Sequence, residues 1–300
     1  MIGAVVVLYN PDFALLDRVL EALSRQVDML CVVDNSAQDN SRNIAHFESL
    51  DYTPLCENRG IAAAQNIGIG RALRRGCRYI LLSDQDSIAS EGLIAELRRR
   101  HRILSHLYDV AAVGPMPINR HSGQPYIGPC HERLLRTFSH EGYNFYEAHS
   151  IISSFSFISA KAFEKVGAKS EELFIDFVDQ EWCWRARHKG LRVFVTPDLW
   201  FSHEQGRYRE WLGLGLNIST PARLYYQIRN LLWLSFSHLA PRRWKRKNLR
   251  KLCYKIIGYP LLVAPRSKYI GSIVRGLWDG LTQRKRYETS GKNIGFDGRA

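Results

Sequence analysis

Two aspartates, Asp84 and Asp86, have the type and spacing to do chemistry. They follow an apolar run at residues 79–82, in the order Ser83-Asp84-Gln85-Asp86. In a tight turn both carboxylates can reach one hard divalent cation, directly or through water. Such a cation can stabilise a departing diphosphate. An acidic turn that caps the following helix is the alternative, and the pattern alone leaves both interpretations open.

A second acidic cluster places Asp176, Asp179 and Glu181 within six residues. Its aromatic neighbours are Phe174, Phe177, Trp182 and Trp184. An aromatic wall suits the face of a sugar, and a carboxylate beside it could take a proton from a sugar hydroxyl. Acidic residues also stabilise the first turn of a helix, so a capping role stays open.

The elements that must position these groups alternate between strand and helix. Apolar runs typical of buried strands lie at residues 4–8, 30–33, 79–82 and 110–113, with amphipathic or alanine-rich stretches between them. This order is typical of an α/β fold with a parallel sheet covered on both faces. Tyr9, Asp34 and Asp84 follow three of the runs, so we expect them at the carboxyl edge, where ligands bind.

The second half of the chain is less regular. A strand is predicted at residues 151–159, a short helix at 162–167, a helix after Phe174 that ends at Gly190, and a strand at 192–195. No G-x-G-x-x-G follows the first strand, and no G-x-x-x-x-G-K-[ST] occurs. Dinucleotide binding and a P-loop are therefore poorly supported. His203 could join Asp86 as a metal ligand only if the fold brings them together.

Composition excludes several classes of protein. A hydrophobic content of 45% and a charged content of 24% argue against disorder. The six cysteines form no C-x-x-C, which excludes a zinc ribbon and a thioredoxin-type site, and reduced thiols in a cytosolic protein fit best. The amino-terminal apolar run lacks the basic start of a signal peptide, and no apolar run is long enough for a spanning helix.

The net charge of +13 is concentrated near the carboxyl terminus. Residues 1–241 carry 26 basic and 26 acidic residues, whereas residues 242–286 carry 14 basic residues and one acid. This boundary predicts a neutral body followed by a basic appendage. Such a surface attracts a polyanion, which could be anionic lipid, nucleic acid or an acidic partner.

Basic residues in this appendage are interleaved with Trp, Tyr, Leu and Ile. We expect interfacial helices on an anionic membrane, with Trp244 and the other aromatic residues at headgroup depth. A solvated basic face packed on the body is the second interpretation. Nucleic-acid binding is the weakest, because no helix-turn-helix, zinc-finger or RNP pattern accompanies the charge.

Taken together, the motifs resemble glycosyltransferase family 2. The similar stretches are VVVLYN, VVDNSAQD, ENRGIAAAQNIGI, SDQDS and FIDFVDQEWCWRARHKG, which span roughly residues 4–205. The last two look most like the bacterial dTDP-rhamnose-dependent rhamnosyltransferases. The resemblance implies a GT-A fold over residues 1–240, with a nucleotide-sugar half (1–115) and an acceptor half (116–240). A basic helical membrane-association region (241–300) would follow.

The resemblance also implies roles for single residues. The nucleotide-sugar contacts would be Tyr9, Asp34, Asn58, Gly60, Asn66, Asp84 and Gln85. Asp34 would accept a hydrogen bond from the thymine N–H. Asp86 would bind Mg²⁺ or Mn²⁺ with His203 as a further ligand, and Asp179 would be the general base. The acceptor contacts would be Ser154, Trp182 and Arg185.

Two positions depart from the family pattern. Val178-Asp179 offers one carboxylate where an acidic pair is common, and Ser154-Phe155 stands where Ser-Gly is expected. The function predicted is inverting transfer of L-rhamnose from dTDP-β-L-rhamnose to a saccharide, expected to be lipid-linked, for bacterial O-antigen or related polysaccharide at the inner face of the cell membrane. A UDP-hexose-dependent family member and a non-catalytic nucleotide-sugar or nucleic-acid binding protein are the alternatives.

Overall fold

The computed structural model describes residues 1–47, 49–120, 123–125, 134–203, 208–211 and 214–283. The strands are β1 (Ile2–Leu8), β2 (Met29–Asp34), β3 (Leu50–Pro54), β4 (Tyr79–Asp84), β5 (Val110–Asn119), β6 (Arg136–His140), β7 (Tyr143–Glu147), β8 (Ser156–Ser159), β9 (Arg192–His203), β10 (Tyr208–Trp211) and β11 (Leu214–Asn217). The helices are α1 (Phe13–Ser24), α2 (Ile61–Arg74), α3 (Leu93–Ser105), α4 (Ala160–Val166), α5 (Val178–His188), α6 (Pro221–Phe236), α7 (Arg242–Leu262) and α8 (Arg266–Thr282). The predicted α/β class is confirmed.

A nine-stranded sheet forms the centre of the molecule, in the order β3-β2-β1-β4-β8-β5-β9-β7-β6. The first four strands in this order run parallel, and β5 also pairs with β9 in parallel. β8 runs antiparallel between β4 and β5, and β7 and β6 are antiparallel at the far edge. The carboxyl ends of β1, β2 and β4 therefore meet at one edge, where α/β proteins bind ligands.

The core lies on both faces of this sheet. Alternate residues of a strand point to opposite faces, and β1 follows that rule. Ala4, Val6 and Leu8 pack in one cluster with α1 and α3, whereas Val5 packs with α2, α4 and α5. Burial on both faces explains why these strands are continuous apolar runs in the sequence.

Some predicted strands differ in extent. β9 continues to His203 and β5 to Asn119, because the two strands pair along their whole length. Residues 151–155 lie outside β8, and the β6–β7 hairpin has no counterpart among the predicted elements.

The boundary between the neutral body and the basic stretch is crossed by side-chain packing. Trp244 of α7 is only 1% exposed. Its Nε1 donates to Oε1 of Gln180 in α5 at 2.7 Å. Its ring meets Trp184 and Phe177 edge-on, at centroid distances of 4.9 and 5.3 Å. Trp244 is thus a core residue, and its predicted place at the membrane headgroups is wrong.

Helix α8 packs closely against α6. Gly276 and Gly280 lie against Ile228 and Leu232, where an added Cβ would be within 3.0 Å of side-chain or backbone atoms. The hydroxyl of Tyr225 on α6 also donates to the carboxylate of Asp279 on α8 at 2.7 Å. Within the described ranges, no helix combines the length and the apolar character needed to cross a bilayer.

Candidate active site

The ends of β2 and β4 place two acidic residues on either side of β1. Asp34 is the register partner of Leu8, and Asp84 is the partner of Val7. The two aspartates therefore lie at the same edge of the sheet, as predicted from the apolar runs that precede them.

Gln85 joins the ends of two strands. Its Oε1 accepts from the backbone N–H of Tyr9 at 2.8 Å, and its Nε2 donates to the carbonyl of Tyr9 at 3.2 Å. The Tyr9 side chain is exposed at this edge. Gln85 thus links the ends of β1 and β4, and the exposed Tyr9 ring is open to contact from a ligand.

Asp34 is fully buried and organises the loop that follows β2. Its carboxylate accepts from the backbone N–H of Ser36 at 2.9 Å, from Nδ2 of Asn40 at 2.7 Å and from the hydroxyl of Tyr52 at 2.9 Å. Burial, followed by the bond to Asp34, raises the pKa of Tyr52. The predicted contact between Asp34 and a nucleobase stays a prediction.

Asn58 and Gly60 join this edge through Asn35, a residue that the sequence analysis did not select. Nδ2 of Asn35 donates to Oδ1 of Asn58 at 2.9 Å, and the same Oδ1 accepts from the Gly60 N–H at 3.0 Å. Oδ1 of Asn35 accepts from the N–H of Arg59 at 2.8 Å. The loop of residues 58–60, which the resemblance implies as a donor loop, is therefore fixed to the end of β2.

Asn66 lies elsewhere on α2 and has a different set of partners. Its Nδ2 donates to the carbonyl of Lys169 and to Oε1 of Glu171, both at 2.9 Å, and its Oδ1 accepts from the N–H of Lys169. Its amide holds the segment 169–171, and its predicted contact with the nucleotide sugar stays a prediction.

Asp84 connects the two halves of the site. Ser154, one of the predicted acceptor contacts, donates its hydroxyl proton to Oδ2 of Asp84. Burial raises the pKa of Asp84, and the nearby carboxylates of Asp86 and Asp179 raise it further. The bond from Ser154 and the proximity of His203 act in the opposite direction. Four residues from four separate segments therefore influence the Asp84 carboxylate.

Asp179 lies in the first turn of α5 and is partly open to solvent, with 29% of its side chain exposed. Oδ2 accepts from the N–H of Ser153 at 3.1 Å, and Oδ1 accepts from the Ser153 hydroxyl at 2.6 Å. Nζ of Lys169 lies 2.7 Å from Oδ1, and the Lys169 side chain is only 2% exposed. Ser153 and Lys169 together hold the carboxylate in one orientation.

Gln65 extends this network on the buried side. Its Nε2 donates to the hydroxyl of Ser153 at 2.8 Å, and its Oε1 has no hydrogen-bond partner among the described residues. Ser153, Lys169 and Gln65 were all missed from the sequence. They lie between 10 and 114 positions from Asp179 along the chain, and no spacing links them to it.

Two predicted acceptor contacts have structural roles instead. Nε1 of Trp182 is buried and donates to the carbonyl of Gly167 at 2.9 Å. The buried guanidinium of Arg185 pairs with Glu181 at 2.9 Å and donates to the carbonyl of Ala168 at 2.8 Å. Both side chains support the turn after α4, so the prediction that Trp182 and Arg185 contact an acceptor is wrong.

Phe155 explains the departure from Ser-Gly in the family pattern. Its φ of 58° lies in the left-handed region that favours glycine. The ring is buried and meets Phe201 edge-on at 4.9 Å. The backbone thus keeps a conformation typical of glycine, and aromatic packing offsets its cost.

The candidate metal ligands lie at two strand ends. Asp86 is exposed just after β4, and His203 is the half-buried last residue of β9. In the described part of the chain, no three His, Cys, Asp or Glu side chains are grouped closely enough to hold a metal ion. Two carboxylates and an imidazole nevertheless suit Mg²⁺ or Mn²⁺ chemically, and Mg²⁺ in such sites commonly takes its remaining ligands from substrate phosphates and water.

A sheet whose parallel half ends in a polar carboxyl edge, with the Asp179 carboxylate of α5 near that edge, is typical of α/β proteins that bind nucleotides. Residues 4–167 match the family model described as Glycosyl transferase family 2. The chain belongs to glycosyltransferase family 2, and the resemblance read from its motifs is confirmed.

Two curated proteins show the range of its relatives. The chain is 32% identical over 274 residues to the dTDP-rhamnosyl transferase RfbF of Shigella flexneri, covering 90% of each protein. It is 24% identical over 170 residues to the low-salt glycan biosynthesis hexosyltransferase Agl10 of Haloferax volcanii, covering 54% of each.

Solved structures confirm the GT-A fold. Residues 1–349 of TarS from S. aureus match with a TM-score of 0.57 over 99% of this chain and 89% of that one, at 14% identity. GalNAc-T7 with UDP, GalNAc and Mn²⁺ matches with a TM-score of 0.55 over 92% of this chain and 55% of that one, also at 14% identity.

Proposed function

We propose that the protein is an inverting, metal-dependent rhamnosyltransferase that moves L-rhamnose from dTDP-β-L-rhamnose to a saccharide acceptor in bacterial cell-surface polysaccharide synthesis. The observation that carries this proposal is that the adjacent Ser153 and Ser154 donate to Asp179 and Asp84, which brings the α5 carboxylate close to the carboxyl end of β4. The choice of rhamnose is supported by the similarity to RfbF, because it extends over 90% of both chains.

Asp179 is the general base in this proposal. Ser153 and the buried ammonium of Lys169 fix the direction of its carboxylate. The acceptor hydroxyl gives its proton to the carboxylate while its oxygen attacks the anomeric carbon of the sugar. The bond from that carbon to the diphosphate breaks on the opposite face, and dTDP leaves with the bonding electrons. A single displacement inverts the configuration.

The diphosphate belongs beside the acidic pair that follows β4. Asp86 and His203 would hold Mg²⁺ or Mn²⁺ there, with Asp84 beside them. The ion, when bound, would neutralise the charge that develops on the leaving diphosphate. Asp84 and Asp86 are like charges two residues apart, and a cation bound between them would relieve their repulsion, which is why this residue set suits a cation.

The nucleoside belongs at the ends of β1 and β2. Tyr9 offers an exposed ring, and the loop ordered by Asp34 lies beside it. Uracil presents the same N3–H as thymine, so we expect dTDP and UDP to bind and GDP to bind poorly. GDP binding tighter than that of dTDP would contradict this placement.

Donor hydrolysis tests the proposal most directly. It would be measured for dTDP-rhamnose, UDP-glucose, UDP-galactose and GDP-mannose, each with Mn²⁺ and with chelator. We expect dTDP-rhamnose with metal to be preferred. A preference for a UDP-hexose would show the alternative family activity, and no turnover with any donor would favour a binding protein.

Two substitutions then test the assigned roles. Asp86→Ala should abolish metal-dependent turnover.

Asp179→Asn should lower kcat for transfer by about 10²–10⁴-fold with dTDP binding unchanged, because general-base catalysis contributes on that order. Asp109→Asn is the matched control, because Asp109 is an exposed carboxylate that pairs with Lys165. Loss of dTDP binding in Asp179→Asn would place that residue in the donor site instead.

We further infer that the acceptor is lipid-linked and that α7 and α8 lie on the anionic inner face of the cell membrane. The outward face of α7 carries Arg243, Arg246, Lys247, Arg250 and Lys251 around an open groove. The outward face of α8 carries an apolar stripe of Ile270, Val274, Trp278 and Leu281, with Trp278 69% exposed. A basic surface beside exposed apolar residues is typical of interfacial helices. Nucleic acid is not proposed as a partner.

Sedimentation with vesicles that contain anionic lipid tests this attachment. Trp278→Ser should lower partitioning by about tenfold, because a buried aromatic side chain contributes roughly 1.5–3 kcal/mol. Trp200→Ser, which changes an equally exposed tryptophan on β9, is the control. Equal partitioning of all three forms would leave the solvated basic face as the correct interpretation.

A further inference from the structure

The segment that precedes the candidate base has an unusual backbone. Phe174, Asp176 and Phe177 have φ values of 62°, 63° and 64°, and none of them is glycine. Residues with side chains persist in this left-handed region only where the surrounding structure holds them. Helix α5 begins directly afterwards, so the same backbone decides where Asp179 lies.

Asn230 of α6 supplies much of that support. It is fully buried, although asparagine is usually exposed. Its Nδ2 donates to the carbonyls of Leu173 at 2.7 Å, Ile175 at 2.8 Å and Asp176 at 3.4 Å. One amide thus satisfies three carbonyls of the left-handed segment.

Arg229 fixes the direction in which that amide points. Its Nε and Nη2 donate to Oδ1 of Asn230 at 3.0 and 2.9 Å, and Nη2 also donates to the carbonyl of Glu172. The guanidinium lies 4.2 Å from the ring centroid of Trp233. A reversed amide would lose both the bonds from Arg229 and the bonds to the segment.

The held segment touches both halves of the site. The carbonyl of Phe174 accepts from the N–H of Ile61 at 2.7 Å, at the start of α2 and next to Gly60. The carbonyl of Phe177 accepts from the N–H of Glu181 at 2.9 Å, which closes the first turn around Asp179. A shift of this segment would therefore move Asp179 relative to the donor loop.

We propose that Asn230 is a positioning residue for the transfer reaction. It acts through the backbone of residues 173–176 and sets the place of Asp179, and it touches neither donor nor acceptor. This inference rests on the proposed role of Asp179 as the base. Arg229 has the accompanying role of orienting the Asn230 amide.

Asn230→Asp tests the inference with almost no change of shape, because it replaces the donating NH₂ by an oxygen that repels the same carbonyls. We expect kcat for transfer to fall about 10²-fold, the size of effect that a displacement near 1 Å produces. The Kd for dTDP should stay within about twofold, since Asn35 and Asn58 also hold the donor loop and neither contacts Asn230. Asn248→Asp is the matched control, because its amide donates to the Trp244 carbonyl, outside residues 173–176; it should keep the wild-type kcat.

Combination with Asp179→Asn separates positioning from a general loss of structure. Residues that act as a unit are not additive, so Asn230→Asp should lower kcat less than about twofold further in the Asp179→Asn background. A full additional 10²-fold loss there would overturn the inference, as would wild-type kcat in the single variant. If Asn230→Asp does not fold, Arg229→Lys is measured in the same two backgrounds. This substitution keeps the positive charge and removes the paired hydrogen bonds from the guanidinium to Oδ1 of Asn230.

Failure of the proposed function gives a different pattern. Wild-type kcat in Asp179→Asn alone would remove the base and with it the role of Asn230. A large loss in Asp179→Asn together with no loss in Asn230→Asp would overturn only the inference.

Discussion

The first 115 residues and the region from Phe174 to Thr282 place a carboxylate in different ways. Asp84 sits at the end of a strand whose neighbours on both sides pair with it along six and four residues. Backbone pairing with these two neighbouring strands and burial of apolar side chains on both faces of the sheet fix its position. Asp179 sits at the start of a helix whose first residue is set by a left-handed segment and by side chains of α6.

The two regions differ in how far apart along the chain their contacting residues lie. The sheet edge depends on regular backbone pairing that any apolar strand can make. The α5 edge depends on single side chains far along the chain, such as Asn230 and Arg223, the latter pairing with Asp176 at 2.9 Å. The basic helices add a further layer, because Trp244 buries the outer side of α5. The second region is therefore expected to be more sensitive to single changes.

Removal of α7 and α8 should have the largest effect. Truncation after Ala240 would uncover Trp184, Phe177 and the face of α6 that packs on α8. Loss of one buried Trp already costs about 3–5 kcal/mol, against a total stability of roughly 5–15 kcal/mol. We expect loss of the cooperative unfolding transition and of donor hydrolysis, measured by calorimetry and nucleotide release.

Truncation after Gln283 is the control for that experiment, because it keeps every described helix. It should unfold cooperatively and keep donor hydrolysis. A cooperatively folded, fully active fragment ending at Ala240 would contradict the expectation and would make the appendage separable, as its composition suggests.

A substitution at the contact between the two regions should have a smaller effect. Gly60 has φ 86° and ψ 158°, a conformation almost confined to glycine. A Cβ there would lie 2.7 Å from the carbonyl oxygen of Phe174. Gly60→Ala should lower the free energy of unfolding by about 1–3 kcal/mol and should also lower kcat, because the collision pushes on the segment before Asp179.

Gly76→Ala separates the collision from the backbone strain. Gly76 also has a positive φ, of 81°, but a Cβ there would meet nothing within 4 Å. It should cost less stability in denaturant titration and leave kcat unchanged. Equal effects of the two substitutions would mean that the approach of Phe174 to Gly60 has no consequence.

The two regions also differ in how much of their structure the sequence predicted. Strands with apolar, β-branched residues were predicted, and with them the edge that carries Asp34, Asp84 and Asp86. Period and polarity are local properties, so they can be read without knowing the fold. Asp179 belonged to the acidic cluster found in the sequence, and the family resemblance singled it out as the base; the adjacent Ser153 and Ser154 bring it close to Asp84.

The supporting residues could not be predicted in the same way. Ser153 and Lys169 meet Asp179 only because β8, α4 and α5 fold onto the sheet, and neither has a distinguishing neighbour in sequence. Trp182 was mistaken for a ligand contact, since an aromatic residue beside acids looks the same whether it faces a crevice or the core. Only the burial of the side chain separates these two cases, and burial depends on packing that cannot be read from one sequence.

An effect that appears only in acid is expected inside the first region, at His101 of α3. Burial lowers the pKa of His101 to about 4, from an ordinary value of 6.5. The unfolded chain therefore binds the proton first on acidification, so this histidine lowers stability as pH falls from 6.5 towards 4 and costs nothing above that range. Between pH 6.5 and 4.5 the loss amounts to about 2 kcal/mol.

His101→Leu should remove that part of the pH dependence in denaturant titrations, and His106→Gln, which changes an exposed ring, should keep it. An unchanged pH dependence in His101→Leu would show that the ring takes up its proton over the same pH range in the folded and unfolded protein, and that the packing of this half is looser than the contacts with Tyr79 and Phe157 imply.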